Sequence, residues 1–64
     1  MTRIRRGGYI FLTRESDHPP RHAHVYKEGR LVLRWDLEGQ KPLTGQASRR
    51  VIELIRELCS EGRL

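Results

Sequence analysis

A lone cysteine, Cys59, in a chain of 64 residues excludes an internal disulfide framework and any zinc site built from several cysteines. Long apolar runs are missing as well: a stretch such as Tyr9 to Leu12 is far too short to span a membrane or form a signal-peptide core. There is no internal repeat and no low-complexity tract. These absences predict a soluble, cytoplasmic chain with no membrane attachment. At this length the expected organisation is a single domain, residues 1–64, whose thin core favours help from a homodimer or a small cognate protein partner.

Acidic residues are the next scarcity. Eight Asp and Glu stand against thirteen Lys and Arg, a formal charge of +5. Residues 1–32 carry seven cations (Arg3, Arg5, Arg6, Arg14, Arg21, Lys27, Arg30) and three acids (Glu15, Asp17, Glu28), whereas residues 33–64 carry six against five. Such a balance favours anionic partners, nucleic acid first, although an arginine-rich genome would produce the same bias.

Histidine is also rare, but concentrated. His18, His22 and His24 all lie in the run Asp-His-Pro-Pro-Arg-His-Ala-His-Val that spans residues 17–25. Pro19 and Pro20 restrict their own backbone and that of the preceding residues, so this arm is stiff. A short strand, about His22 to Tyr26, is expected next, with His22 and His24 on one face and Ala23 and Val25 on the other.

The remaining pattern predicts β-β-β-β-α, an α+β arrangement in which a small antiparallel sheet carries one C-terminal helix on one face. Gly7-Gly8 joins the first two strands, Arg3 to Arg6 and Tyr9 to Arg14, as a hairpin. Leu31 to Leu37 alternates, placing Leu31, Leu33, Trp35 and Leu37 on the core face and Val32, Arg34 and Asp36 on the other. Glu38 to Gly45, with Gly39, Pro42 and Gly45, reads as a loop. Ala47, Val51, Leu54, Ile55 and Leu58 recur at helical spacing, supported by Arg49/Glu53 and closed by Gly62. Ile52 and Cys59 widen this stripe, which either packs entirely on the sheet or leaves a surface for a partner.

Strand register decides where the imidazoles point. A two-residue turn at Glu28-Gly29 pairs His24 with Leu33 and His22 with Trp35, burying both. A three-residue turn, Lys27 to Gly29, pairs His22 with Arg34 and His24 with Val32 on the opposite face. The second is preferred because it keeps two polar rings out of a small core.

Three chemistries fit the cluster. As a divalent-metal module, zinc or a similar ion would be held by Asp17, His18, His22 and His24; otherwise no cofactor is expected. As a small metal-independent ribonuclease, His22 and His24 would serve as general base and acid. As a binding face, Arg14, Arg21 and Arg34 would hold phosphate and Tyr26 would stack on a base. The plainer alternatives are hydrogen-bonded strand histidines and solvated arginines. Trp35 shares a face with leucines and is expected in the core.

Residues 17–25 resemble the signature Asp-His-x-Pro-Pro-His-x-His-Val of a widespread bacterial family of short proteins known only as a domain of unknown function. Asp17, His18, Pro20, His22, His24 and Val25 match it, and Arg21 stands where a second proline is usual. The likeness extends to a preceding strand at Gly8 to Arg14 and a terminal helix at Gln46 to Glu61. It implies a regulatory setting of the toxin–antitoxin type, with nucleic acid or a small protein as target, and no established activity.

Overall fold

The computed structural model describes residues 2–14 and 21–64. Five strands and one helix follow in chain order: β1 (Thr2–Arg6), β2 (Tyr9–Thr13), β3 (His22–Lys27), β4 (Arg30–Asp36), β5 (Lys41–Gly45) and α1 (Arg49–Ser60). The strands form one antiparallel sheet in the order β1-β2-β3-β4-β5, each paired with its neighbour in sequence. The α+β arrangement with a single C-terminal helix is therefore present, with one strand more than the sequence pattern predicts.

That extra strand corrects the reading of Glu38 to Gly45 as a loop. Lys41–Gly45 is exposed along its whole length and lies at the sheet edge, with Pro42 opposite Trp35. A proline is tolerated on an edge strand because its missing N–H need not serve two neighbours. Pairing with β4, and not local propensity, makes this segment a strand. A register shift between Arg34 and Trp35 leaves Leu43 as the additional residue.

The core lies between one sheet face and the helix. Ile4, Phe11, Val25, Leu33 and Trp35 from the strands meet Val51, Leu54, Ile55 and Leu58 from α1. Ser48 caps the helix, its hydroxyl accepting the Val51 N–H at 3.2 Å. Ala47 thus precedes the helix, and it packs against the core together with Ile52, as a residue before the cap commonly does with one in the first turn. Around Gly62, Arg63 N–H donates to the Leu58 carbonyl and Gly62 N–H to that of Cys59, the paired bonds of a Schellman ending. The i,i+4 pair expected between Arg49 and Glu53 is replaced by an i,i+3 contact of Arg50 with Glu53 at 3.9 Å. Ile52 and Cys59 pack on the core, so most of the helix stripe is covered by its own sheet.

One ion pair ties the first hairpin to the end of the helix. Arg6 donates through Nη1 and Nη2 to the two carboxylate oxygens of Glu61, at 2.6 and 2.9 Å, and Glu57 lies 3.9 Å away. The hydrogen bond from Arg6 is the main cause holding the Glu61 carboxyl below its ordinary range, opposed by desolvation and aided by the charges of Arg6 and Arg63. A lowered folded-state pKa means that the contribution to stability is present at neutral pH and is lost as pH falls through that value. Carboxyl titration followed by NMR is expected to find Glu61 below the ordinary glutamate range, and to find it moved up in Arg6→Ala.

Gly45 sits where the backbone of β4 leaves no room for a side chain. Its φ is +83°, and a Cβ there would come within 2.4 Å of the Val32 carbonyl oxygen. Gly45→Ala is expected to destabilise the fold by about 2 kcal/mol or more, from left-handed strain plus a clash with backbone that cannot rotate away. Denaturant unfolding measures this directly.

Candidate functional site

The site is built by the β3–β4 hairpin. Its turn has two residues, Glu28 and Gly29, both with positive φ (52° and 78°), and Lys27 pairs with Arg30 and Tyr26 with Leu31. This is the I′ geometry that suits the twist of a hairpin. Continued without interruption, it would put His24 opposite Leu33. Instead the register shifts between Tyr26 and Val25, so that Val25 faces Leu33 and Val32 is the extra residue of a β-bulge.

Neither register considered from the sequence therefore holds throughout. The turn has two residues, as in the first, and the imidazoles avoid the core, as in the second. His24 pairs with Arg34 and His22 with Asp36. The bulge also exchanges two apolar side chains: Leu31, expected in the core, is 48% exposed, whereas Val32 packs against the core. Val32 and Leu33 can then both serve the interior, and the polar residues of β3 and β4 share the other side.

That other side carries no helix and no second sheet among the described residues. Alternation about the buried Ile4, Phe11, Val25 and Leu33 places Arg3 and Arg5, Ile10 and Leu12, His22, His24 and Tyr26, and Arg34 and Asp36 on it. The His22 and His24 rings lie 5.0 Å apart in an edge-on arrangement. His22 is buried and His24 half-buried. Arg34 is half-buried, and its Nε is shut off from solvent without a hydrogen-bond partner.

Asp36 is buried and has a structural task. Its Oδ1 accepts the N–H groups of Glu38 and Gly39 at 2.9 and 3.0 Å, and its main-chain carbonyl accepts that of Gln40 at 2.8 Å. This side chain shapes the β4–β5 turn. Glu38 in the same turn accepts the Arg21 N–H at 2.9 Å, and Leu37 N–H donates to the Arg21 carbonyl at 2.9 Å. The turn thus grips the chain at the point where it enters β3, one residue before His22.

Of the residues singled out from the sequence, His22, His24, Tyr26 and Arg34 come together on this face. Arg14 and Arg21 are exposed and lie outside the strands, each beside a strand end. Asp17 and His18, and with them the four-residue ligand set, lie outside the described residues; among the described residues no group of three or more His, Cys, Asp or Glu could hold a metal ion. Trp35 is core, as expected. Its indole N–H is buried without a partner, a cost accepted in exchange for the area the ring buries.

Two residues were missed. Arg3 and Arg5 line a shallow depression of ≈ 320 Å³ with Ile10 on the same face as the histidines. The signal was present in Arg3-Ile4-Arg5: cations on either side of an apolar residue in a strand point away from the core together.

No family model, curated protein or solved structure matches this chain.

The turn offers a test of the hairpin that places the imidazoles. Glu28 occupies a left-handed position that asparagine tolerates better. Glu28→Asn is expected to stabilise the protein by about 0.5–1 kcal/mol, read as a higher denaturation midpoint with an unchanged m-value.

Proposed function

We propose that the helix-free face of the sheet binds nucleic acid through its phosphates, and that the protein acts as a small regulatory component of the toxin–antitoxin type. The carrying observation is a set of arginines on this face, Arg3, Arg5 and Arg34, that no acid among the described residues neutralises. Glu57 and Glu61 lie against Arg6, and Glu53 against Arg50, so the acids of the helix meet cations at its own side. On the open face Arg3, Arg5 and Arg34 make no ion pair among the described residues, and Asp36, the acid that the described residues place there, is engaged in a turn. Unneutralised arginines on a flat surface are the electrostatic footprint of a phosphate-binding protein. The likeness of residues 17–25 to the bacterial signature supports the regulatory setting. No helix among the described residues is long and apolar enough to cross a membrane, which is compatible with a nucleic-acid partner in the cytoplasm.

A second reading has its own support. Two imidazoles with ring centroids 5.0 Å apart, on the same face as Arg34, have the spacing needed to share work on one phosphodiester, one as base and one as acid. Under this reading the protein is a metal-independent ribonuclease, and binding is its first step.

Both readings are tested by mixing the untagged protein with labelled RNA in chelator, following anisotropy for binding and gel mobility for cleavage. Binding that weakens steeply with added salt is expected. Absence of binding at low salt would overturn the proposal, and a partner protein would then be the better candidate for this face. Chelator-resistant cleavage lost in His24→Ala, with the circular-dichroism spectrum retained, would establish the ribonuclease reading; intact RNA at saturating protein would remove it.

A further inference from the structure

The open face has an internal order that goes beyond a basic surface. Pairing runs continuously from one edge of the sheet to the other: Arg3 faces Leu12, Leu12 faces His24, His24 faces Arg34, and Arg34 faces Thr44. A second row runs beside it, from Arg5 to Ile10, Tyr26 and Leu31. Each row starts with an arginine on the edge strand β1 and crosses apolar or aromatic residues in the middle. The first reaches a second arginine on β4.

We infer that this face takes a single nucleic-acid strand running across the β-strands, with one phosphate held by Arg3 and Arg5, a second by Arg34, and a base between them over Tyr26 and His24. The inference rests on the nucleic-acid reading and specifies its ligand. Neighbouring strands are about 4.8 Å apart, so the three intervals from β1 to β4 separate the two cationic positions by about 14 Å at the backbone. That gap is wider than the phosphates flanking one nucleotide, and leaves room for a base or two between the clamps. What lies in the gap suits bases: Ile10 and Leu12 are half-buried and uncharged, and Tyr26 offers a ring. Base–aromatic stacking is tolerant of sequence and needs an exposed base face, which a duplex withholds.

Each clamp has its own support. Arg3 and Arg5 wall the depression over Ile10, where two guanidinium groups can reach one anion. Arg34 is half-buried on the same face and makes no ion pair among the described residues, so its charge is left for a bound phosphate to meet.

Anisotropy with labelled oligouridylates, from dinucleotide to hexanucleotide, separates the clamps. Wild-type affinity is expected to rise with length as the strand comes to span both. In Arg3→Gln/Arg5→Gln, exposed substitutions whose fold is checked by circular dichroism, that gain is expected to fall by about tenfold, and the slope of log affinity against log salt to drop by about 0.7 for each lost contact. Tyr26→Ala is expected to weaken hexanucleotide binding roughly 5- to 150-fold with the salt slope unchanged. A duplex of equal length should bind less tightly than the single strand. If the double arginine variant keeps wild-type affinity and slope while the wild type binds RNA, the crossing path is wrong and the broader nucleic-acid reading stands. Equal or tighter binding of the duplex would overturn the stacking arrangement. No binding by the wild type would remove both.

Discussion

A single extra residue in β4 sets the character of both faces of the sheet. The hairpin between β3 and β4 must satisfy a tight two-residue turn, which fixes Tyr26 opposite Leu31, and a core that requires Val25 opposite Leu33. The two demands differ by one residue in register, and a slip of one residue would turn every side chain to the wrong side. Val32, left over as a bulge, absorbs the difference. Gly45 on β5 meets this same point, with room for no side chain between it and the Val32 carbonyl. The bulge, the edge strand that fits against it and the outward imidazoles are consequences of one conflict and its resolution.

With the core gathered on the helix side, the polar residues of β3 and β4 fall on the other side. His22, His24 and Arg34 occupy it, with Arg3 and Arg5 brought in by the first hairpin. Several acids are engaged by other partners: Glu61 by Arg6, Glu38 by the backbone of Arg21, Asp36 by its own turn. Among the described residues Arg3, Arg5 and Arg34 are thereby left without an ion pair on that side. Function, in the proposal made here, follows from where charges are left unneutralised more than from how many there are.

Legibility varied with the range of the interactions involved. The first hairpin followed from Gly7-Gly8, and the helix from apolar spacing and its closing Gly62, all local signals read within a few residues. β5 was not legible, because Pro42 and two glycines carry the marks of a loop and only the neighbouring β4 makes them a strand. Leu31 and Val32 were read onto the wrong faces because alternation assumes an uninterrupted pleat, and nothing in Arg30 to Asp36 announces the bulge. Within the candidate site, His22, His24, Tyr26 and Arg34 were identifiable by residue type, whereas Arg3 and Arg5 were passed over. Their significance depends on a cross-sheet row that joins positions far apart in the chain.

The sequence by itself determined the class of the fold, the position of its helix, the members of most of its core and the concentration of histidines in one short stretch. These rest on periodicity and turn chemistry, which act between near neighbours. Only the tertiary structure decided the register of the central hairpin, the strand at the far edge and the set of residues that share the open face. Each of these is a pairing between separate segments, and the energy that selects it, apolar area buried against polar groups kept in solvent, is defined only when the sheet and helix are assembled.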